Sequence, residues 1–414
     1  MRQERGVPGT WAAAVAIPLA LSVLLPGPAA GQEVVDLRTL DLPRWTLEEE
    51  LRLGSVNGEY DAFVTPRLEV DAQGRLYVID ARLPAVRVFD ADGTYIRQIG
   101  RKGGGPGEYT IPVGLGFLGD TVWIADWARR HLAFFDGNGQ LLEDFGLEPV
   151  GASMEPPMPI QVLGPDDFVV VVPPTLGSSF RGYGVGRVAF PQSFVRRNRS
   201  GTRMDTLFTY TRDSGYIITQ ADAEGMNVVP SPQIRRLPQL GYDGERNEII
   251  EVAPSAETRA DVGEFRVTIR HPDGTVVAER RFRYRPVVLP ESVKDSLRDE
   301  LRSRFRPGPG SRKHAEVALE YFELPDFLIP ATGVAYGADG TRWIDRDVLL
   351  VGAPPRHYLV TDSTLNPLAT VELPPAAVGL TGSRDRNHLW AIVKDDLDVR
   401  YLVRYRIIRP ETSE

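Results

Sequence analysis

The side chains best suited to chemistry crowd into a few short stretches. RKGGGPGEY (Arg101–Tyr109) places Arg101 and Lys102 ahead of a glycine run, and WARRH supplies Trp127, Arg129, Arg130 and His131 shortly after it. Arg82 stands in the corresponding stretch of the preceding unit. An arginine fork matches carboxylate or sulfate geometry, and an indole offers a flat face for a ring or a cation. The chemistry to expect of Arg82, Arg101, Lys102, Trp127, Arg129, Arg130 and His131 is therefore capture of an anionic or aromatic ligand, with no catalytic role assigned. The plainer reading is that an arginine-rich chain scatters such clusters over its solvated surface.

Other chemistries are weaker. RKGGGPGEY could let backbone N–H groups approach a phosphate. It lacks the GxxxxGK[ST] order, however, and a strand follows where a phosphate site wants a helix N-terminus, so it reads as a structural turn. The five histidines (His131, His271, His314, His357, His388) show no HxxxH or HExxH spacing, and no GxSxG occurs. Asp80 and Asp126 recur at equivalent places and could cage a metal. Short acids at loop starts more commonly bond the backbone of the turn, and that structural role is the one expected. The chain has no cysteine, which excludes disulfides and thiolate metal sites.

Something must hold these loops, and the spacing says what. Gly54, Gly100 and Gly146 lie 46 residues apart, each closing a similar strand in EELRLG, TYIRQIG and LLEDFG. Between them Pro66 aligns with Pro112, Tyr77 with Trp123, Asp80 with Asp126 and Asp90 with Asp136, without a gap. Each unit reads as four short strands separated by turns such as DAQG (Asp71–Gly74) and DADG (Asp90–Gly93). Four-stranded antiparallel units at this period are propeller blades. Weaker units follow: Pro159 to about Tyr210, NEIIEV with EFRVTIRHPDGTVVAERRF, ADGTRWI with YLVTD, and HLWAIV with YLVRYRII. The last lacks a closing strand, which EELRLG supplies from the N-terminal side. The expected fold is all-β, a six-bladed β-propeller of four-stranded antiparallel blades, its ring closed by an N-terminal strand.

On IGRKGGGPGEYTIP, VWIADWARRHLAFFDGNG and RLYVIDARLPAVRVFDADG, the chain resembles NHL-type six-bladed propellers, specifically over residues 54 to 146. The resemblance implies a binding or scaffolding module, with lyases and hydrolases among its members. Propeller lactonases hold a calcium in the channel, but the inner strands here offer only Glu69, Asp71 and Gln161, few oxygens for Ca²⁺. Ca²⁺ belongs to that alternative, a metal-dependent hydrolase or lyase centred on the channel; otherwise no cofactor and no metal site is expected.

The chain opens with Arg2 and Arg5, then WAAAVAIPLALSVLL (Trp11–Leu25), then Ala29-Ala30-Gly31, the order of a cleaved secretory signal over residues 1–31. Residues 32–414 are expected to form one periplasmic or extracellular propeller domain with no membrane span. Lys and Arg total 48 against 56 Asp and Glu, a net charge of -8 that argues against nucleic-acid binding.

In such a blade the tight 1–2 and 3–4 turns share one face, and the 2–3 and 4–1 loops the other. The long loops fall on the second: RKGGGPGEY, Pro173–Phe190, and a helical insertion at about 290–325 between blades 4 and 5. There SVKDSLRDELRSRF spaces Val293, Leu297, Leu301 and Phe305 as one apolar stripe, and AEVALEYF (Ala315–Phe322) reads as a second helix. The helices either lid the channel mouth or pack against the ring's flank. The function expected is binding of an anionic small ligand, or of an envelope or extracellular protein, on the long-loop face.

Overall fold

The computed structural model describes residues 34–54, 63, 67–80, 83–148, 158–172, 184–222, 225–230, 239–243, 246–271, 273–305, 309–328, 330, 331, 333–337, 339–346, 357–374, 377–382, 386–397 and 399–410. The expected signal segment, residues 1–31, and Arg82 lie outside the described residues.

The chain enters through β1 (Val34–Asp36) and β2 (Arg44–Leu53). A first antiparallel meander follows: β3 (Arg67–Val70), β4 (Leu76–Asp80), β5 (Leu83–Phe89) and β6 (Tyr95–Ile99). Two short parallel strands, β7 (Arg101–Lys102) and β8 (Glu108–Tyr109), bracket the glycine loop. The next meander is β9 (Pro112–Leu118), β10 (Thr121–Asp126), β11 (His131–Phe135) and β12 (Leu141–Gly146). Five strands make the third: β13 (Pro159–Gly164), β14 (Asp167–Val172), β15 (Gly186–Arg197), β16 (Met204–Asp222) and β17 (Gly225–Pro230). Then come β18 (Gln239–Asp243), β19 (Glu248–Pro254), β20 (Gly263–Arg270) and β21 (Val276–Tyr284). Two helices, Glu291–Ser303 and Pro309–Glu320, precede β22 (Gly333–Tyr336), β23 (Arg342–Asp345), β24 (His357–Thr361) and β25 (Pro367–Glu372). The last run is β26 (Ala377–Gly382), β27 (His388–Lys394) and β28 (Arg400–Ile408).

One piece of turn chemistry recurs between these strands. A carboxylate oxygen of Asp90 accepts from the N–H groups of Asp92 and Thr94 at 3.0 and 2.7 Å, and Asp136 does the same for Asn138 and Gln140 at 2.9 and 2.8 Å. Gly93 and Gly139 then take φ of 83° and 82°, which a residue without Cβ adopts at no steric cost. Asp362 repeats the pattern over Thr364 and Asn366, but Leu365 occupies the left-handed position at φ 66°.

Alternation lets a meander offer an apolar face to a neighbour, and among the described residues several such faces meet. Tyr77, Ile79 and Val86 pack on Leu115, Ile124 and Ala133, while Trp123, Leu132 and Phe134 pack on Val162, Phe168 and Val195. Val267 and Phe282 share a core with Ile344 and Leu359, and Trp343 and Tyr358 share one with Ala391 and Val403. Trp390 and Leu402 join Leu68, Val78 and Phe89, so the last meander packs on the first. The second meander makes room for its large core residue with glycines. A Cβ on Gly116 would stand 2.6 to 2.8 Å from the Trp123 indole.

The N-terminal segment binds three meanders. β1 adds to β21 in parallel, β2 begins parallel to β25 at Arg44 and Trp45, and the rest of β2 pairs antiparallel with β28 from Thr46 opposite Ile408 to Leu53 opposite Leu402. EELRLG thus lies along the last meander as its fourth strand.

Candidate functional site

Loop 101–111 is fastened from several directions. Asp126, fully buried, accepts from the N–H groups of Thr110 and Ile111 through one oxygen and from Arg129 N–H at 2.9 Å through the other. These bonds make it the turn acid that its repeated position implies. The Arg129 guanidinium donates to the Glu108 carbonyl and lies 3.5 Å from Asp144. Asp144, whose side chain is 4% exposed, accepts from Gly107 N–H at 2.9 Å and sits 2.7 Å from His131 Nδ1.

The glycines serve the loop's own anion. The Glu108 carboxylate folds back to accept from Gly105 N–H and from Arg101 Nε, each at 2.8 Å. A Cβ on Gly103 would stand 2.0 Å from a Glu108 oxygen, so that position must be bare. Gly105 and Arg101 hold the carboxyl below its ordinary range. The glycine loop thus spends its N–H groups on the Glu108 carboxylate, on Asp144 and on its own carbonyls, where a phosphate loop would turn them on a bound anion. Beneath it Tyr109 Oη is buried with no partner among the described residues, and burial pushes the phenol well up.

Six of the seven expected contacts, Arg101, Lys102, Trp127, Arg129, Arg130 and His131, therefore meet on one loop system. They differ in availability. Arg129 is a fastener, its side chain 13% exposed, and Arg101 is exposed but paired with Glu108. Lys102 and Arg130 are exposed, and neither has an ion pair among the described residues. Arg130 holds a φ of 59° while its carbonyl accepts from Leu147 N–H at 2.7 Å, so the turn is set by backbone bonds. Trp127 is 46% exposed and Ile111, to whose carbonyl its N–H donates, is 45% exposed. The geometry can offer an apolar step flanked by cations. Sequence reasoning did not single out Ile111, Glu108 or Asp144. Asp144 stood in a repeated strand, and only the register of β11 with β12 brings it to His131.

A second feature joins two of the long insertions. Beyond its pairing with β14, β15 continues toward Gly186 alongside β16, which runs on to Asp222 and turns back as β17. The strand expected to end near Tyr210 is longer because YIIT finds partners in both neighbours and cover from the helices. Ile217 and Val229 pack on Leu301, Ala318 and Phe322, with Leu297 and Phe305 partly buried beside them. Of the expected stripe, Leu301 is fully buried and Val293 half-buried. The second helix starts earlier than expected, at Pro309, whose fixed φ suits a first helical position, and ends at Glu320. Residues 173–183 of the other insertion lie outside the described residues.

For a metal, the Asp71 oxygens are engaged. Asp71 accepts from Gln73 and Arg75 N–H and pairs with the Arg75 guanidinium at 2.6 Å, while Gln161 donates its Nε2 hydrogen to the Val162 carbonyl. Among the described residues no group of three or more His, Asp or Glu is placed to hold a metal ion, and no helix is long and apolar enough to cross a membrane.

A family described as a 6-bladed beta-propeller, DUF5128, matches residues 66–141 of the chain. No curated protein matches it significantly. Among solved structures it is similar to a member of the DUF4221 family from Bacteroides vulgatus, at 9% identity and TM-score 0.48 over 89% of this chain and 100% of that one. A putative exported protein from Bacteroides fragilis is 13% identical, with TM-score 0.44 over 89% of this chain and all of its own. Virginiamycin B lyase from Staphylococcus aureus is 12% identical, with TM-score 0.41 over 88% of this chain and 100% of its own. The chain is thus an all-β protein similar, from β3 to the start of β12, to a six-bladed propeller family.

Proposed function

We propose that the chain is an exported, six-bladed propeller of the NHL type whose long-loop face binds a small anionic ligand or an envelope or extracellular protein. In this reading residues 32–414 are one domain, β2 closes the sixth blade, and the helices are an insertion between blades four and five. The packing of Trp390 on Phe89 and the pairing of β2 with β28 support a closed ring. The observation that carries the binding role is the half-exposed pair Trp127 and Ile111 beside Arg130, on a loop fastened by buried Asp126, Arg129 and Asp144. Rigid loops that hold out an aromatic side chain lose little entropy on binding.

The test is a thermal-shift screen of the mature protein against carboxylates, sugar acids and peptides, followed by pull-down from an envelope extract. A ligand or partner recovered by the native protein and lost with Trp127→Ala and Arg130→Ala combined supports the site. Equal recovery by that variant, with its melting temperature unchanged, assigns binding elsewhere.

A further inference from the structure

We propose that His131, oriented by Asp144, is the proton-switched contact of this site, gripping the carboxylate of a small aryl acid only as the imidazolium. The inference rests on the Trp127–Arg130 turn being the binding site.

The geometry sets which ring nitrogen titrates. Nδ1 lies 2.7 Å from an Asp144 oxygen, and an ionised carboxylate can only accept. Nδ1 therefore carries its hydrogen in both protonation states, and the proton that comes and goes is the one on Nε2. Asp144 is buried and also held by Gly107 N–H, so it cannot swing away from the ring. Nε2 has no partner among the described residues, the side chain is 32% exposed, and the residue paired opposite is Gly146, where a Cβ would come within 3.8 Å of Nε2. A neutral ring presents an acceptor there, which repels a carboxylate, whereas the imidazolium presents a charged donor.

The charges around the ring favour an anion. Arg129 lies 3.4 Å from Nδ1 but is engaged with Asp144 and the Glu108 carbonyl. Asp126 is filled by three backbone N–H groups, and Glu108 is paired with Arg101. Glu108 is thus ion-paired and Asp126 hydrogen-bonded within the loop, whereas Arg130 and Lys102 have no ion pair among the described residues. The exposed Trp127 on this turn, and Ile111 on the loop whose carbonyl accepts the Trp127 N–H, suit an aromatic ring attached to that carboxylate.

The probe is benzoate, with benzamide as its neutral isostere, titrated calorimetrically into the mature protein over a range of pH. Benzoate affinity should fall several-fold in all as the imidazole deprotonates and then level off, and benzamide should show no such trend. His131→Gln should bind benzoate several-fold more weakly at acid pH, match the native protein at alkaline pH, and lose the pH dependence. By linkage, benzoate should also raise the pH at which the His131 ring protons titrate in the NMR spectrum. Affinity independent of pH, a pH dependence that survives in His131→Gln, or no benzoate binding at any pH each overturns the proposal. Benzoate binding unaffected by Trp127→Ala with Arg130→Ala overturns the underlying site instead.

Discussion

Charged side chains in this protein work mainly on backbone. Glu108 shapes the loop around its own carboxylate, and Glu108→Gln removes the charge while leaving the shape. Backbone amides from Gly103 to Tyr109 should then exchange faster with solvent, while those of β24 and β25 keep their rates, as read by hydrogen exchange. Small residues matter where an aromatic needs space. Gly116→Ala would drive a methyl group into the buried Trp123 indole, which is itself packed on Phe168 and Val162. Overpacking of this kind costs about 1–3 kcal/mol, and urea unfolding should show that loss with an unchanged m-value.

At the scale of elements, the N-terminal strands deserve the first experiment because they touch the edges of three meanders. A chain beginning at Ser55 lacks β1 and β2, leaving one edge of β28 unpaired and Trp45 absent from its core with Trp343 and Val371. Such a chain should melt at a markedly lower temperature and aggregate through the bare edge, measured by calorimetry and light scattering. The helices answer to a different core. Leu301→Ala empties a fully buried site between helix and ribbon, at a cost of about 2–5 kcal/mol. Limited proteolysis should therefore cut near residues 291–320 sooner, with the other meanders still resistant.

For the molecule as a whole, acid is the informative stress. Asp36 is held down to about 2 by its hydrogen bond from Arg38, and Asp167 is lowered by Arg196. Asp362 is also lowered, because its bonds from Thr364 and Asn366 outweigh the upward push of burial. These groups stay charged in the folded chain where the unfolded chain would already take up protons. The stability they contribute is complete above the ordinary carboxylate range, 3.8 for the aspartates, and drains away as pH falls toward about 2. Denaturant midpoints should be flat from neutral pH down to about 5 and fall below that, whereas a flat profile to pH 2 would contradict it.

Much of the strand order was legible because its signals are local. The spacing of Gly54, Gly100 and Gly146 and the aspartate turns at Asp90 and Asp136 each depend on residues close in sequence, and a short stretch of backbone meets the same sterics wherever it lies. The acidic balance and the absence of cysteine were readable in the same way. What joins distant residues was not. Gly107 and Asp144 are 37 positions apart, and the ribbon residue Ile217 meets Leu301 only after the whole fourth meander has passed between them. Whether a glycine loop is an open anion site or is closed on Glu108, and whether His131 is a surface histidine or one held by Asp144, depend on register and packing. Periodicity carries no record of either, because the energies that select them arise only between surfaces the folded chain brings together.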